Sequence, residues 1–292
     1  MMLHDKGRFH EFATANGFPV PQAEVVRRPE DILLVRELRF PVIIKPADKR
    51  NVHVGRAPRV VVANDWESAE RSCQKLHEVA GDVIVQERVE GPDNAIYLPF
   101  LSQKQRRNGD VHRPQARKHP AGVGNTAYCT GAKDVRGLEE VTQSILERVD
   151  FVGFGSIEYK WDPASERFVI IEPTVGRTNW QEEIATLSGM NLPLVGYCYE
   201  CGLPPPIQTP PERPVVWRAS YVERMKVGVP VVPPGSVIAD GYWRRNDPLP
   251  AIVHYPKDFA MSAPLILYKC LAQLRQWGHL GMNRLRNITK MG

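Results

Sequence analysis

The sequence predicts an α+β fold, in which helices and strands follow one another in an irregular order. Short apolar runs that suit buried strands recur between residues 41 and 172. Stretches with apolar residues at helical spacing lie between some of these runs. The order does not repeat the strand–helix–strand unit of a parallel α/β protein. We therefore expect mixed sheets that are covered by helices.

In the N-terminal part the patterns are clear enough to place each element. Gly17 ends the first helix, whose residues Phe9, Phe12 and Ala13 share one side. Pro29 suits the first turn of the second helix. Helices are expected at 5–17, 29–38 and 65–80, and strands at 41–46, 60–63 and 83–87. Residues 18–21 are expected to be extended, because residues before proline avoid the α region.

Further along the chain, two strands joined by a short turn are the main feature. They cover 155–160 and 167–172, and Asp162-Pro163 supplies the turn. A capping box of Thr178 and Gln181 is expected to begin the last helix of this part. Other strands are expected near 95–101 and 115–119, and helices at 135–148 and 178–190.

A change of composition follows residue 203. Six prolines between Pro204 and Pro214 predict a stiff linker, and a basic helical pattern begins at about residue 265. A basic helix of this kind can lie on an anionic membrane. Because Gly278 and Gly281 interrupt the pattern, we favour packing against the protein body and do not expect membrane contact. We predict three segments, 1–95, 96–202 and 203–292.

Composition and charge are those of an ordinary globular protein. Of 292 residues, 42% are hydrophobic and 24% charged, with a net charge of +5. No run reaches the roughly 18 apolar residues of a membrane span, and no secretory signal begins the chain. These features predict a cytoplasmic protein with reduced cysteines, although the CxxC spacing of Cys198 and Cys201 leaves zinc as a minor alternative. The basic residues form no recognisable nucleic-acid module.

Two lysines are candidate phosphate ligands. Lys45 stands at the end of an apolar strand, between Ile44 and Pro46, and is therefore expected to project into a cavity. Lys6 begins the first helix, and a lysine is a compact charge that suits phosphate oxygens. The loop 48–56 can close over phosphates with its backbone amides and basic side chains. It holds a single glycine and is not a P-loop.

A strand end at residues 86–93 is a candidate nucleotide hinge. Where a strand stops, its backbone N–H and C=O groups can pair with an adenine edge, so Gln86, Glu87 and Val89 are candidate contacts. Asp93, a few residues later, is the candidate ligand of the ribose hydroxyls. An ordinary strand-to-turn junction with solvated acids is the alternative interpretation.

The strongest signal is a pair of acids. Glu158 and Glu172 stand on the two strands joined by the short turn, so their side chains can lie next to each other on one face. Thr174 shares that face if the strand continues. Two carboxylates together with nucleotide phosphates form a typical Mg²⁺ site, and Mn²⁺ is an alternative ion. Outward-facing acids are less consistent with the apolar residues around them.

In this order, Lys6, Lys45, the hinge with Asp93, Glu158 and Glu172 resemble the ATP-grasp superfamily. Residues 116–120 and 171–183 resemble the predicted bacterial carboxylate–amine ligases of that superfamily, and the similarity covers roughly residues 5–200. The resemblance implies that two α+β subdomains hold ATP between them. It also implies that Lys6 and Lys45 contact phosphates, Gln86 and Val89 the adenine, and Asp93 the ribose.

Two features depart from the family pattern. Thr174 stands where relatives usually carry an asparagine, and a hydroxyl is a weaker ligand than an amide carbonyl, so the number of metal ions stays open. Relatives also carry a complete domain before the position of Lys6. We expect it to be absent here, supplied by a partner or lost through truncation, and a homodimer is the alternative to such a partner.

Three further basic residues are candidates for the acyl-transfer site. Arg117 and Lys118 alternate on a strand, so only one of them can point into the site. Arg177 precedes a predicted helix and can hold a carboxylate or an acyl phosphate.

The sequence thus predicts an ATP-dependent ligase that phosphorylates a carboxylate and transfers the acyl group to an amine. Small-molecule carboxylates and amines are its expected substrates, and ATP with Mg²⁺ its cofactors. A degenerate nucleotide-binding module and a phosphotransferase remain as alternatives.

Overall fold

The computed structural model describes residues 2–48, 58, 60–90, 94–102, 114–119, 125–131, 136–179, 181–219, 232–257 and 259–260. Three predicted features lie outside these residues: most of the loop 48–56, Asp93, and the basic helical pattern that starts at about residue 265.

The N-terminal part forms a four-stranded antiparallel sheet. Its strands are β1 (Ala23–Val26), β2 (Val42–Pro46), β3 (Val61–Ala63) and β4 (Val83–Glu87), in the order β1-β4-β2-β3. Helix α1 (Lys6–Ala15) precedes the sheet and helix α2 (Trp66–Ala80) connects β3 to β4. The amphipathic helix α2 buries Ala69, Cys73, Leu76 and Ala80 in the core of this sheet.

Both helices begin where the sequence supplies a capping side chain. The Asp5 carboxylate accepts a hydrogen bond from the Arg8 backbone N–H at 2.9 Å, and Asp65 accepts one from the Ser68 N–H at 2.8 Å. Gly17 follows α1 with a φ of 71°, a conformation that glycine adopts without strain. Local sequence therefore determines the position of Lys6 in the first turn of α1.

The remaining strands form a seven-stranded sheet. They are β5 (Asn94–Ser102), β6 (Pro114–His119), β7 (Asn125–Gly131), β8 (Gly153–Asp162), β9 (Arg167–Val175), β10 (Val215–Arg218) and β11 (Val237–Asp240). Their order is β11-β10-β7-β6-β5-β8-β9, and all neighbours are antiparallel except β10 and β11. The strands β10 and β11 thus extend this sheet beyond the proline-rich residues 204–214; the predicted segment boundaries remain a prediction.

One face of the seven-stranded sheet carries the larger core. Helix α3 (Arg136–Arg148) and helix α1 pack there, with Phe9, Ala13, Leu138 and Ile145 against Ile157 and Tyr159 of β8. The other face carries two shorter helices, α4 (Glu183–Leu187) and α5 (Leu192–Glu200). Ile184 of α4 packs against that face.

Several predicted elements differ from the structure. The single helix expected at 178–190 is wrong, because residues 183–187 and 192–200 form two helices separated by Gly189, whose φ is 101°. Residue 182 is the N-cap of α4, so the expected Thr178–Gln181 capping box does not form there. The expected helix at 29–38 is a 3-10 helix, Pro29–Glu37.

Strands β1 and β7 were not expected. Strand β1 pairs with β4, which is distant in sequence, whereas β7 pairs with the preceding strand β6 on one side and with the distant β10 on the other. Among the described helices, none combines the length and the hydrophobicity that crossing a bilayer requires.

Candidate active site

The paired acids lie where strand alternation predicts them. Glu158 of β8 is directly opposite Glu172 of β9, and Ser156 is opposite Thr174. Ile157 and Tyr159, on either side of Glu158, point into the larger core, so Glu158 belongs to the opposite face of the sheet. The ladder shifts by one residue just after Glu158. Two carboxylates and a hydroxyl are therefore gathered along one pair of strands.

Both predicted lysines line one cleft together with Glu172. Lys6 Nζ is 3.6 Å from Glu172 Oε1, and both side chains are largely buried. The Lys6 backbone N–H donates to the Ala47 carbonyl at 2.9 Å, which joins the start of α1 to the end of β2. Lys45, on β2, is only 8% exposed. A buried lysine is uncommon, and its position in one cleft with Lys6 and Glu172 indicates a site for charged groups.

This cleft encloses about 340 Å³, including the open space at its mouth. Lys6 and Lys45 line it together with Gln86 and Glu172. The apolar part of its wall comes from both sheets, from α1 and from the segment between α1 and β1; it consists of Phe9, Val20, Ile84, Ile170, Ile171 and Pro173. The cleft therefore combines apolar and charged side chains, and it lies between the two sheets.

The predicted hinge links the two sheets beside this cleft. The carbonyl of Val89 accepts a hydrogen bond from Lys160 Nζ at 2.8 Å, and Lys160 stands on β8, two residues after Glu158. The Glu87 carboxylate accepts from the Arg39 backbone N–H at 2.8 Å. Its second oxygen lies 3.3 Å from the Arg39 guanidinium, so the Glu87 side chain is held by the segment that precedes β2.

Comparison with solved structures identifies the fold of the chain. The N5-carboxyaminoimidazole ribonucleotide synthetase of Thermus thermophilus superposes with a TM-score of 0.57 at 17% identity, covering 73% of this chain and 56% of that one. The biotin carboxylase domain dimer of Hydrogenobacter thermophilus 2-oxoglutarate carboxylase, solved with MgADP, ADP and bicarbonate, gives 0.53 at 14% identity, covering 65% and 44%. The chain has the ATP-grasp fold.

Sequence comparison also leads to an ATP-grasp relative. The N5-carboxyaminoimidazole ribonucleotide synthase of Aquifex aeolicus is 27% identical over 157 residues, which are 53% of this chain and 40% of that protein. No protein-family model matches the chain. The chain spans between 40% and 56% of the length of these three relatives, so the activity of the whole proteins is not transferred with the fold.

The ATP-grasp cleft contains wall residues that sequence reasoning missed. His10 lines it, and burial lowers the pKa of the His10 imidazole, an effect that the nearby Glu11 opposes in part. His10 is one helical turn after Lys6, and this spacing was the available signal. Ile171, next to Glu172, also lines the cleft, and its position could have been inferred from its neighbour.

The remaining predicted residues of the ATP-grasp site are not all described. Arg177 is exposed, and its guanidinium donates to the Thr178 carbonyl at 3.2 Å. Arg117 and Lys118 lie on β6, where their backbones pair with Tyr128 and Thr126 of β7; their side chains lie outside the described residues. Asp93 also lies outside.

The described acids do not form a complete metal site by themselves. Within the described part of the chain, no group of three or more His, Cys, Asp or Glu side chains can hold a metal ion. The oxygen donors on the β8–β9 pair are two carboxylates, Glu158 and Glu172, and the Thr174 hydroxyl, and of these Glu172 lines the cleft. This oxygen set fits Mg²⁺, which usually takes one or two carboxylates and completes its shell with water and phosphate oxygens.

Proposed function

We propose that this chain is an ATP-dependent ligase, which activates a carboxylate as an acyl phosphate and joins it to an amine. The products are an amide, ADP and phosphate. The observation that carries the proposal is that Lys6, Lys45 and Glu172 line one cleft of an ATP-grasp fold, with Glu158 directly opposite Glu172 on the neighbouring strand.

The charges of the cleft suit a nucleoside triphosphate. Lys6 and Lys45 neutralise phosphate oxygens, and the buried position of Lys45 strengthens its interaction with an anion. The apolar wall accepts an adenine ring, and Gln86 together with the backbone around Val89 supplies polar contacts at its edge. Asp93 is proposed to hold the ribose.

Mg²⁺ is the proposed metal, held by Glu158 and Glu172 with Thr174 as a further oxygen donor. When bound, such an ion screens phosphate charge and orients the triphosphate. Two adjacent carboxylates otherwise repel each other, and the Lys6 ammonium near Glu172 reduces that repulsion.

Positioning and charge neutralisation are the main contributions of the protein to phosphoryl transfer. Lys6, Lys45 and Arg177 are proposed to stabilise the charge that develops as the γ-phosphoryl group moves to a carboxylate oxygen. Arg117 or Lys118 is proposed to bind the carboxylate substrate. The relatives named after N5-carboxyaminoimidazole ribonucleotide synthesis support a small-molecule substrate, but not which one.

ADP release in the presence of MgATP and a panel of carboxylates and amino acids tests the proposal. We expect ADP and inorganic phosphate in equal amounts, and only when both a carboxylate and an amine are supplied. A Lys45→Ala variant should require a much higher ATP concentration, because it removes a buried cation from the phosphate end of the cleft.

Other outcomes of the same assay would identify the alternatives. Tight ATP binding without ADP release from any combination would indicate a nucleotide-binding module. A phosphorylated product without free phosphate would indicate a phosphotransferase. Either result would contradict the ligase.

A further inference from the structure

The loop after β9 folds back onto the sheet face that carries the paired acids. Asn179 Nδ2 donates to Ser156 Oγ at 2.8 Å, and Ser156 is 2% exposed. Ser156 lies opposite Thr174 and two residues before Glu158, so it shares their face of the sheet. Asn179 therefore anchors the loop beside the candidate metal ligands.

Helix α4, which follows this loop, lies on the same face. Ile184 packs in a small cluster with Ala95, Cys129, Trp217 and Ala219. On β5, Ile96 points into the larger core, so the adjacent Ala95 belongs to the opposite face of the sheet. On β8, Ile157 points into the larger core, so the adjacent Glu158 also belongs to that opposite face. The start of α4 and Glu158 are thus on one side of the seven-stranded sheet.

Two glutamates at the start of α4 have different environments. Glu183 accepts a hydrogen bond from Trp217 Nε1 at 2.8 Å and is paired with the guanidinium of Arg244. Glu182 Oε1 is buried, and among the described residues no group donates a hydrogen bond to it. Although Glu182 is the N-cap residue of α4, its side chain makes no capping hydrogen bond. Within the described part of the chain, neither capping nor ion pairing accounts for this half-buried carboxyl.

The electrostatic environment keeps Glu182 close to the point of ionisation at neutral pH. Burial raises its pKa to about 7, and the negative charge of Glu183 adds to this effect. The nearby cation Arg244 is paired with Glu183, and Arg177 in the loop donates to a backbone carbonyl. Cys129, below α4 on β7, is neutral because burial raises the pKa of its thiol. A carboxyl in this condition can both accept and release a proton near pH 7.

We propose that Glu182 is the proton acceptor for the attacking amine, an inference that rests on the ligase function proposed above. The amine nitrogen forms a C–N bond to the carbonyl carbon of the acyl phosphate. The bond from that carbon to the phosphate oxygen breaks, and inorganic phosphate leaves with the bonding pair. The proton that the nitrogen must lose passes to the Glu182 carboxylate and then to water.

A comparison of two nucleophiles tests the proton-acceptor role of Glu182 independently of the activation of the carboxylate. Hydroxylamine is weakly basic and largely uncharged at neutral pH, whereas an amino acid carries a protonated amine that must lose its proton before attack. The experiment measures hydroxamate formation and amide formation from MgATP and the same carboxylate over a range of pH. It uses the parent, Glu182→Gln, and Glu200→Gln as a matched control at an exposed position on α5.

We expect Glu182→Gln to retain hydroxamate formation and to lose about 100-fold in amide formation, the usual contribution of a general base. In Glu182→Gln, the rate of amide formation should no longer change with pH near pH 7, because the titrating carboxyl is absent. Glu200→Gln should behave as the parent in both reactions.

Three results would overturn the role of Glu182: an equal loss in both reactions, an unchanged amide profile, or a parent that forms hydroxamate but no amide with any amine. A parent that forms no hydroxamate with any carboxylate would instead refute the ligase itself.

Discussion

Glu158 and Glu172 occupy neighbouring positions on an antiparallel pair, and this placement follows from alternation along two short strands. The same rule places Ser156 and Thr174 next to them. Lys160, two residues after Glu158, was overlooked, although its position on the same strand was the available signal. At the residue scale, alternation along the strands was sufficient to predict which side chains share one face of the β8–β9 pair. It was not sufficient to predict which side chains they contact across the cleft.

Replacement of Glu172 by glutamine should remove Mg²⁺-dependent ATP use. The substitution keeps the size of the side chain but removes one of the two adjacent negative charges that suit a divalent cation. We expect a loss of about 100-fold or more in ADP formation, as for other groups that stabilise transferring charge. Glu147→Gln, on the exposed side of α3, is the control. Unchanged kinetics in Glu172→Gln would contradict the metal assignment.

Replacement of Glu182 by glutamine should change how stability depends on pH. The carboxyl has an ordinary pKa of 4.5 and a pKa of about 7 in the folded protein, so the native state binds its proton more tightly than the unfolded state. The parent therefore loses stability as the pH rises from about 4.5 to 7, and glutamine cannot ionise.

The expected gain for Glu182→Gln is about 1 kcal/mol above pH 7, after allowance for the partial exposure of the group, and close to zero at about pH 4. Urea denaturation at several pH values measures it. A difference that does not vary with pH would show that the carboxyl titrates normally.

At the scale of single elements, β8 has little freedom to move relative to its neighbours. A Cβ on Gly155 would lie 2.5 Å from Phe100 Cζ and 2.7 Å from the Thr174 carbonyl oxygen. The Thr174 backbone is part of the β8–β9 ladder and cannot retreat without disturbing it. The close approach of these strands therefore requires glycine at this position, beside the residues that carry the site.

Gly155→Ala should destabilise the protein by about 1–3 kcal/mol, because the added methyl group overpacks the sheet. Gly137→Ala in α3 is the matched control, since a Cβ there meets nothing within 4 Å. Alanine is the better helix former, so the control should be neutral or up to about 1 kcal/mol more stable. The midpoint of urea unfolding distinguishes them, and equal midpoints would contradict the tight packing.

For the molecule as a whole, the cleft is the place where the two sheets meet. Lys45 and Gln86 come from the four-stranded sheet, whereas Ile170 and Glu172 come from the seven-stranded sheet. The Lys160–Val89 hydrogen bond and the Lys6–Glu172 contact cross the same boundary. A ligand in the cleft would therefore contact both sheets and stabilise both.

MgADP should raise the unfolding temperature of the protein. At a concentration 100-fold above its Kd, a ligand that binds only the folded state adds about 2.7 kcal/mol, or about 5 °C for a chain of this size. Scanning calorimetry measures the shift, and ADP with a chelator in place of Mg²⁺ is the control. An unchanged transition with MgADP at millimolar concentration would argue against nucleotide binding in this cleft.

The sequence alone determined the α+β class, most helices and strands, and the residues on one ladder. These depend on local spacing, on capping residues such as Asp5 and Asp65, and on alternation along a strand. Only the tertiary structure decided the pairing of β1 with β4 and of β7 with β10, the break between α4 and α5, and the burial of Glu182 Oε1 without a donor among the described residues. The physical reason is that strand pairing and burial depend on residues far apart in the chain, whereas periodicity reports only on near neighbours.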